Sequence, residues 1–194
     1  MNPDQLNSLV HARCSVFPKD YSGVEVTDRI VQQLLENANC APTHKLTEPW
    51  RFIVYSGNGR KKLGELQASV YKAVTQANGS FKEERYQNLL NKPLESSHVI
   101  LVYMKRDGKK SVPEIEEAGA VFCAIQNMYL TATAYGIGCY LSTGGITYFE
   151  EAKKVFGLSS EDRIIGFFHI GALKENPRPR KRNPVNEKTI WVKE

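Results

Sequence analysis

Residues 113–136 read Pro-Glu-Ile-Glu-Glu-Ala-Gly-Ala-Val-Phe-Cys-Ala-Ile-Gln-Asn-Met-Tyr-Leu-Thr-Ala-Thr-Ala-Tyr-Gly. Proline suits the first helical position and glycine the left-handed residue after a helix, so one helix is predicted over Pro113–Tyr135. It is apolar almost all round, from Ala118 to Ile125 and from Met128 to Ala134, which places it at the centre of the molecule. Upstream, His98 to Met104 is a continuous apolar run, as expected of a strand buried on both faces. Downstream, Cys139 to Ser142 reads as a short strand and Ile164 to Gly171 as another buried one.

The remaining elements are placed around this centre. Asn2-Pro3 opens a short helix that stops near Arg13, and Thr27 is positioned to cap a second, with Ile30, Val31, Leu34, Leu35 and Ala38 at helical spacing. Trp50 to Tyr55 reads as a strand, followed by a helix carrying Leu63, Leu66 and Val70 and by a more polar one over Phe81–Asn91. Thr147-x-x-Glu150 has the form of a capping box for a helix ending at Gly157, and Thr189 to Val192 reads as a short extended arm. About five strands interleaved with about six helices, without repeat or composition break, imply one α+β or α/β domain over 1–194.

Composition excludes several classes. The chain has 194 residues, 41% hydrophobic and 24% charged, which is ordinary for a globular protein. No run approaches the length that spans a bilayer, and the first residues lack the features of a signal peptide, so a cytoplasmic protein is expected. Cys14, Cys40, Cys123 and Cys139 form no Cys-x-x-Cys pair and no metal-ligand spacing, so neither a disulfide framework nor a metal site is expected. Phosphate-binding P-loop, dinucleotide-fold and nucleophile-elbow motifs are absent, and Gly136-x-Gly138 follows a helix, where it reads as a helix stop and tight turn. His98 and His169 lie in apolar strands and read as structural.

The net charge of +5 is local. Lys174, Arg178, Arg180, Lys181 and Arg182 stand against Glu175 alone, so +4 of it falls in nine residues. A small anionic ligand fits such a segment at least as well as a long polyanion, which needs a broader basic face and, for stacking, interleaved aromatics. Arg13-Cys14-Ser15, at a helix-to-loop junction, likewise offers a cation, a hydroxyl and backbone amides suited to a phosphate.

In order along the chain, Arg13-x-Ser15, then Ala41-Pro42-x-His44-Lys45, then Pro49-Trp50-x-Phe52 resemble the opening of the nitroreductase-like FMN flavoproteins. The similarity continues through Glu117-Ala118-Gly119-Ala120, Gly136-Ile137-Gly138 with Ser142-Thr143-Gly144-Gly145, Ile164 to Gly171, and Pro179 to Trp191. His44, and Glu48 where typical members have glutamine, depart from the common pattern, and the form is nearer the small single-domain branch. The resemblance implies a three-layer fold with a central mixed or antiparallel sheet and an intertwined homodimer. The C-terminal arm 174–194 would extend to the partner subunit.

It also implies a site. FMN would lie at the subunit interface, with Arg13, Cys14 and Ser15 at the phosphate and ribityl chain and Arg180 and Arg182 clamping the phosphate. Cys40 and His44 would approach from the second helix and its loop. Leu141, Ser142, Thr143, Gly144 and Gly145 would pack on one flavin face, and Lys92 would face the N1/C2 edge. No side chain is required as a catalytic residue, because the flavin carries the chemistry. NAD(P)H would reduce FMN, and the reduced flavin would reduce a nitroaromatic, quinone or related small-molecule acceptor by a ping-pong mechanism. Nucleic acid and membrane are not implied as partners. The alternatives are a flavin-fold binding protein without NAD(P)H turnover and a basic-tailed polyanion-binding module.

Overall fold

The structure is a computed structural model that describes residues 2–178 and 181–194. Its elements are α1 (Pro3–Ala12), α2 (Asp28–Ala38), β1 (Trp50–Ser56), α3 (Gly59–Ala77), α4 (Glu83–Asn91), β2 (His98–Met104), α5 (Glu114–Ala134), β3 (Ile137–Ser142), α6 (Glu150–Val155) and β4 (Arg163–Ala172). The strands form one antiparallel sheet in the order β1-β2-β4-β3. This is the expected α+β class, with four strands among the described residues instead of about five. Thr189 to Val192 lies exposed and pairs with no strand, and an extended segment becomes a strand only when a neighbour takes its backbone hydrogen bonds.

The apolar run of β2 is divided by strand periodicity into two layers. Ile100, Val102 and Met104 pack with Phe168 and Ile170 against α2 and α5, while Val99 and Leu101 pack with Phe167 against α3 and α6. Burial on both faces is therefore why this strand carries no polar alternation.

Helix ends follow local chemistry, with two corrections. Asn2 accepts the Asp4 N–H at 2.7 Å, and Gln5 accepts the Asn2 N–H at 3.1 Å, which closes a capping box. Thr27 precedes α2 as expected, but its side chain makes no cap bond. The box expected at Thr147 does not form. Residues 145–148 make a 3-10 turn in which the Thr147 hydroxyl donates to the Thr143 carbonyl at 2.8 Å, leaving Phe149 as the residue before α6.

The central helix is likewise one-sided. Gly136 adopts φ 66° and ends it, and Ala118, Val121, Ile125, Met128 and Ala132 are buried. Glu117 is buried too, ion-paired with Arg106 and accepting the Asp107 N–H at 2.9 Å, so it anchors the loop from β2. Yet Ile115, Gly119, Phe122 and Cys123 form an exposed stripe, with Phe122 50% exposed. A nearly all-apolar helix thus keeps apolar surface uncovered within one chain.

Both strand histidines are structural, as expected. His98 sits 2.9 Å from Asp28 Oδ1 and 2.9 Å from Ser97 Oγ, and His169 Nδ1 sits 2.9 Å from Ser96 Oγ. Burial, with a smaller contribution from the Lys92 charge, lowers the His169 pKa to about 3 and keeps the ring neutral.

Candidate functional site

The outer edge of β3 collects the first group of expected residues. Leaving α1, the chain runs alongside this strand, and the Val16 N–H donates to the Cys139 carbonyl at 2.9 Å. The Ser15 hydroxyl donates to the Tyr129 hydroxyl at 3.3 Å, and that same oxygen accepts the Leu141 N–H at 2.8 Å. The Arg13 guanidinium lies over the Tyr129 ring, 5.4 Å from its centroid. One tyrosine of α5 thus joins Arg13-Cys14-Ser15 to the Leu141-Ser142 end of β3. Burial, against the opposing effect of the Ser15 and Leu141 hydrogen bonds, raises the Tyr129 pKa, so the phenol stays protonated.

A close backbone approach makes this corner rigid. Gly138 and Gly171 are cross-strand partners, and a β-carbon on Gly171 would stand 2.2 Å from the Tyr21 ring. The ring lies flat on the pair, and its hydroxyl reaches the Val16 carbonyl at 3.0 Å and the His169 carbonyl at 3.3 Å.

On the other side of β3, Lys92 follows α4 and places its ammonium 4.8 Å from the Tyr140 ring centroid. Burial and the nearby Arg85 charge lower its pKa, while Glu95 opposes the shift. Arg85 reaches the turn after β3, where Gly145 takes φ 68°. A Gly145 β-carbon would lie 3.0 Å from the Arg85 Nη2. Leu141, Ser142, Thr143, Gly144 and Gly145 therefore form a continuous rim between Arg13 and Ser15 on one side and Lys92 on the other.

Cys40 and His44 are not brought to this rim within one chain. The Asn37 side chain donates to Thr131 Oγ1 at 2.8 Å, and the Asn127 side chain donates to the Asn37 carbonyl at 3.0 Å. Asn127 and Thr131 share one face of α5, and Tyr129 points about 200° away from either at 100° per residue. The helix therefore separates the Cys40 loop from the Ser15 corner. His44 pairs with Glu116, and Lys45 donates to the Ser111 carbonyl at 2.8 Å. This loop also holds Lys45, Leu46 and Glu48 at φ 53°, 53° and 42°, a left-handed conformation unfavourable for side chains with a β-carbon.

Among the basic residues of the C-terminal segment, Lys181 and Arg182 lie on an exposed arm, and Arg180 lies outside the described residues. Ile190, Trp191 and Val192 are 90%, 79% and 84% exposed. Tyr129 and Arg85 were not singled out from the sequence. Tyr129 had a usable signal, since a phenol inside an apolar helix must find a polar partner. Arg85 had none, being one cation on a polar helix.

Residues 10–172 match the Nitroreductase family. The chain belongs to the nitroreductase family. Among curated nitroreductase relatives, a Bacillus subtilis protein named "Putative NAD(P)H nitroreductase YfhC" is 29% identical over 184 residues, spanning 94% of this chain and 92% of its own. The nitroreductase-like family protein of Bacillus cereus superposes with a TM-score of 0.84 at 30% identity, covering 97% of this chain and 96% of that one. The fold is also that of a Bacteroides fragilis nitroreductase with bound FMN, with a TM-score of 0.70, 17% identity and full coverage of both chains. No helix among the described residues is long and apolar enough to cross a membrane.

Proposed function

We propose that the protein is an FMN-dependent oxidoreductase, reduced by NAD(P)H and oxidised by a nitroaromatic, quinone or related acceptor. The observation that carries this reading is the Tyr129 junction, which brings Arg13 and Ser15 to the Leu141–Gly145 rim with Lys92 across it. The donor set fits FMN. Arg13 and Ser15 suit a phosphate and its hydroxylated chain, two glycines let a planar ring approach the backbone, and Lys92 supplies a cation beside the ring. FMN-bound and NAD(P)H-named relatives of the same fold support the assignment.

FMN, when bound, would supply two-electron redox chemistry between a nicotinamide and an acceptor. The chain's own residues hold and bias it. Arg13, Cys14 and Ser15 would bind the phosphate end, and Arg180 and Arg182 would add two further cations for it. Lys92 favours negative charge on the ring edge it faces, and the Leu141–Gly145 rim covers one face. Use of the open face by nicotinamide and acceptor in turn gives ping-pong kinetics.

Two unfinished surfaces support a homodimer with the site at its interface. The Ile115–Phe122 stripe includes Gly119, whose exposed position in a helix costs about 1 kcal/mol relative to alanine and leaves room for a close neighbour. The arm 174–194 exposes three consecutive apolar side chains that a second subunit would cover. In that assembly the second subunit supplies the Cys40–His44 loop that α5 keeps from its own rim.

Purified protein is expected to be yellow, to release FMN on denaturation, and to bleach anaerobically with NADH or NADPH. Nitroaromatic or quinone then restores the colour. A colourless protein that is not thermally stabilised by added FMN overturns the proposal. A yellow protein that neither nicotinamide reduces is a flavin-binding protein without turnover.

A further inference from the structure

We propose that Arg85 recognises a carboxylate on the electron acceptor, so that the protein favours acidic acceptors over neutral ones of the same shape. The inference rests on the flavin reading of the β3 rim and adds the substrate class. Arg85 lies in α4 and Lys92, seven residues on, is its C-cap in αR geometry, so the two fall close to one side of the helix axis. Both converge on the end of β3, Lys92 over Tyr140 and Arg85 against the backbone of Gly145.

Among the described residues, neither cation has a carboxylate partner. Four other cations do have one: Arg106 with Glu117, Arg163 with Glu114, Lys110 with Glu161, and Lys153 with Glu150. Arg51 and Arg60 donate to backbone carbonyls. The acids of the first turn of α4 do not answer Arg85 either, and Glu83 instead accepts from Gln87 at 2.7 Å. Glu95 lies near Lys92 and favours its charge. Two cations therefore approach the rim, and neither is ion-paired there.

The flavin accounts for one. Lys92, half-buried beside the ring edge, matches the negative charge acquired there on reduction. Arg85 is exposed, and among the described residues its guanidinium makes no hydrogen bond. A planar guanidinium binds a carboxylate through two parallel hydrogen bonds, which a neutral amide of the same shape cannot accept. Gly145 lets the guanidinium come this close: a β-carbon there would lie 3.0 Å from Nη2 and push it back by a few tenths of an ångström. A coenzyme phosphate offers the same anionic chemistry, and the experiment must separate the two.

The test uses FMN-loaded wild-type protein, Arg85→Gln and Arg85→Lys. Initial rates with 4-nitrobenzoate and 4-nitrobenzamide are measured with NADH and with NADPH, and benzoate and benzamide are titrated into the oxidised protein by calorimetry. Wild type is expected to prefer 4-nitrobenzoate. In Arg85→Gln the ratio of kcat/KM for the acid to that for the amide falls about 10-fold or more, the size of one lost charge-assisted contact. Benzoate affinity falls in parallel, and Arg85→Lys restores part of both. An unchanged ratio overturns the inference, as does an effect seen only as a changed NADPH-to-NADH preference, which would assign Arg85 to the coenzyme. Loss of FMN from Arg85→Gln overturns it too. A yellow, nicotinamide-reducible protein without charge discrimination removes this inference and leaves the proposed function standing. A protein that takes up no FMN removes both.

Discussion

The corner at residues 13–21 and the arm at residues 181–194 both carry arginine expected at one phosphate, yet they are built differently. The corner is finished within one chain. Ser15, Val16 and Tyr21 are each bonded to β3, β4 or α5, and Tyr21 is 4% exposed. The arm makes its described bonds mostly within itself, such as Lys188 Nζ to the Asn183 carbonyl at 3.0 Å, and leaves Trp191 outside. The difference marks where one chain's information stops: half of the proposed phosphate site needs only this fold, and the other half needs something to cover the arm.

The contrast breaks most sharply by removing the arm. Truncation after Asn176 is expected to abolish FMN retention and to give monomers by analytical ultracentrifugation, with the sheet intact by circular dichroism. A truncated protein that stays dimeric and yellow refutes the division. Gly171→Ala attacks the corner instead. The added carbon meets the Tyr21 ring, and overpacking of this kind costs about 1–3 kcal/mol, read from urea unfolding.

Acid should weaken the corner through His169. The unfolded ring titrates near 6.5 and the folded one at about 3, so between these values the unfolded state binds the extra proton. Stability is present above pH 6.5 and is lost as pH falls toward 3, at up to about 1.4 kcal/mol per pH unit for this one group. Urea midpoints at pH 7 and pH 5 measure it, and His169→Gln should flatten the difference. Equal slopes in both proteins would show that other groups dominate.

Tyr129→Phe is the smallest and most local change. It removes the hydroxyl shared by Ser15 and the Leu141 N–H, with an expected loss of about 1 kcal/mol in unfolding free energy. FMN affinity should fall with it. A variant that loses stability but keeps full FMN affinity would make Tyr129 a packing residue only.

Much of this was legible before folding because it depends on neighbours in sequence. The run His98–Met104 announces a doubly buried strand by lacking polar alternation, and Pro113 with Gly136 brackets the central helix. Arg13-x-Ser15 and the Ser142–Gly145 turn were found as segments of a family pattern. The errors share a cause. Thr147 has the spacing of a capping box, but Gly145 at φ 68° starts a 3-10 turn and turns its hydroxyl back to Thr143. The fifth strand expected near the C-terminus is missing among the described residues, because the arm has no neighbour to take its backbone hydrogen bonds.

The sequence by itself determined a mixed helix-and-strand class, the extent of the central helix, the buried strands and the location of the basic charge. These follow from residue periodicity, capping chemistry and charge counting, which act over a few residues. Only the tertiary structure decided that Tyr129 joins Ser15 to Leu141, 114 residues and 12 residues away along the chain. It alone separated the Cys40 loop from that corner and brought Arg85 to Gly145. Such pairings arise when elements distant in the chain pack on one sheet, and no local pattern records which side chains will then meet.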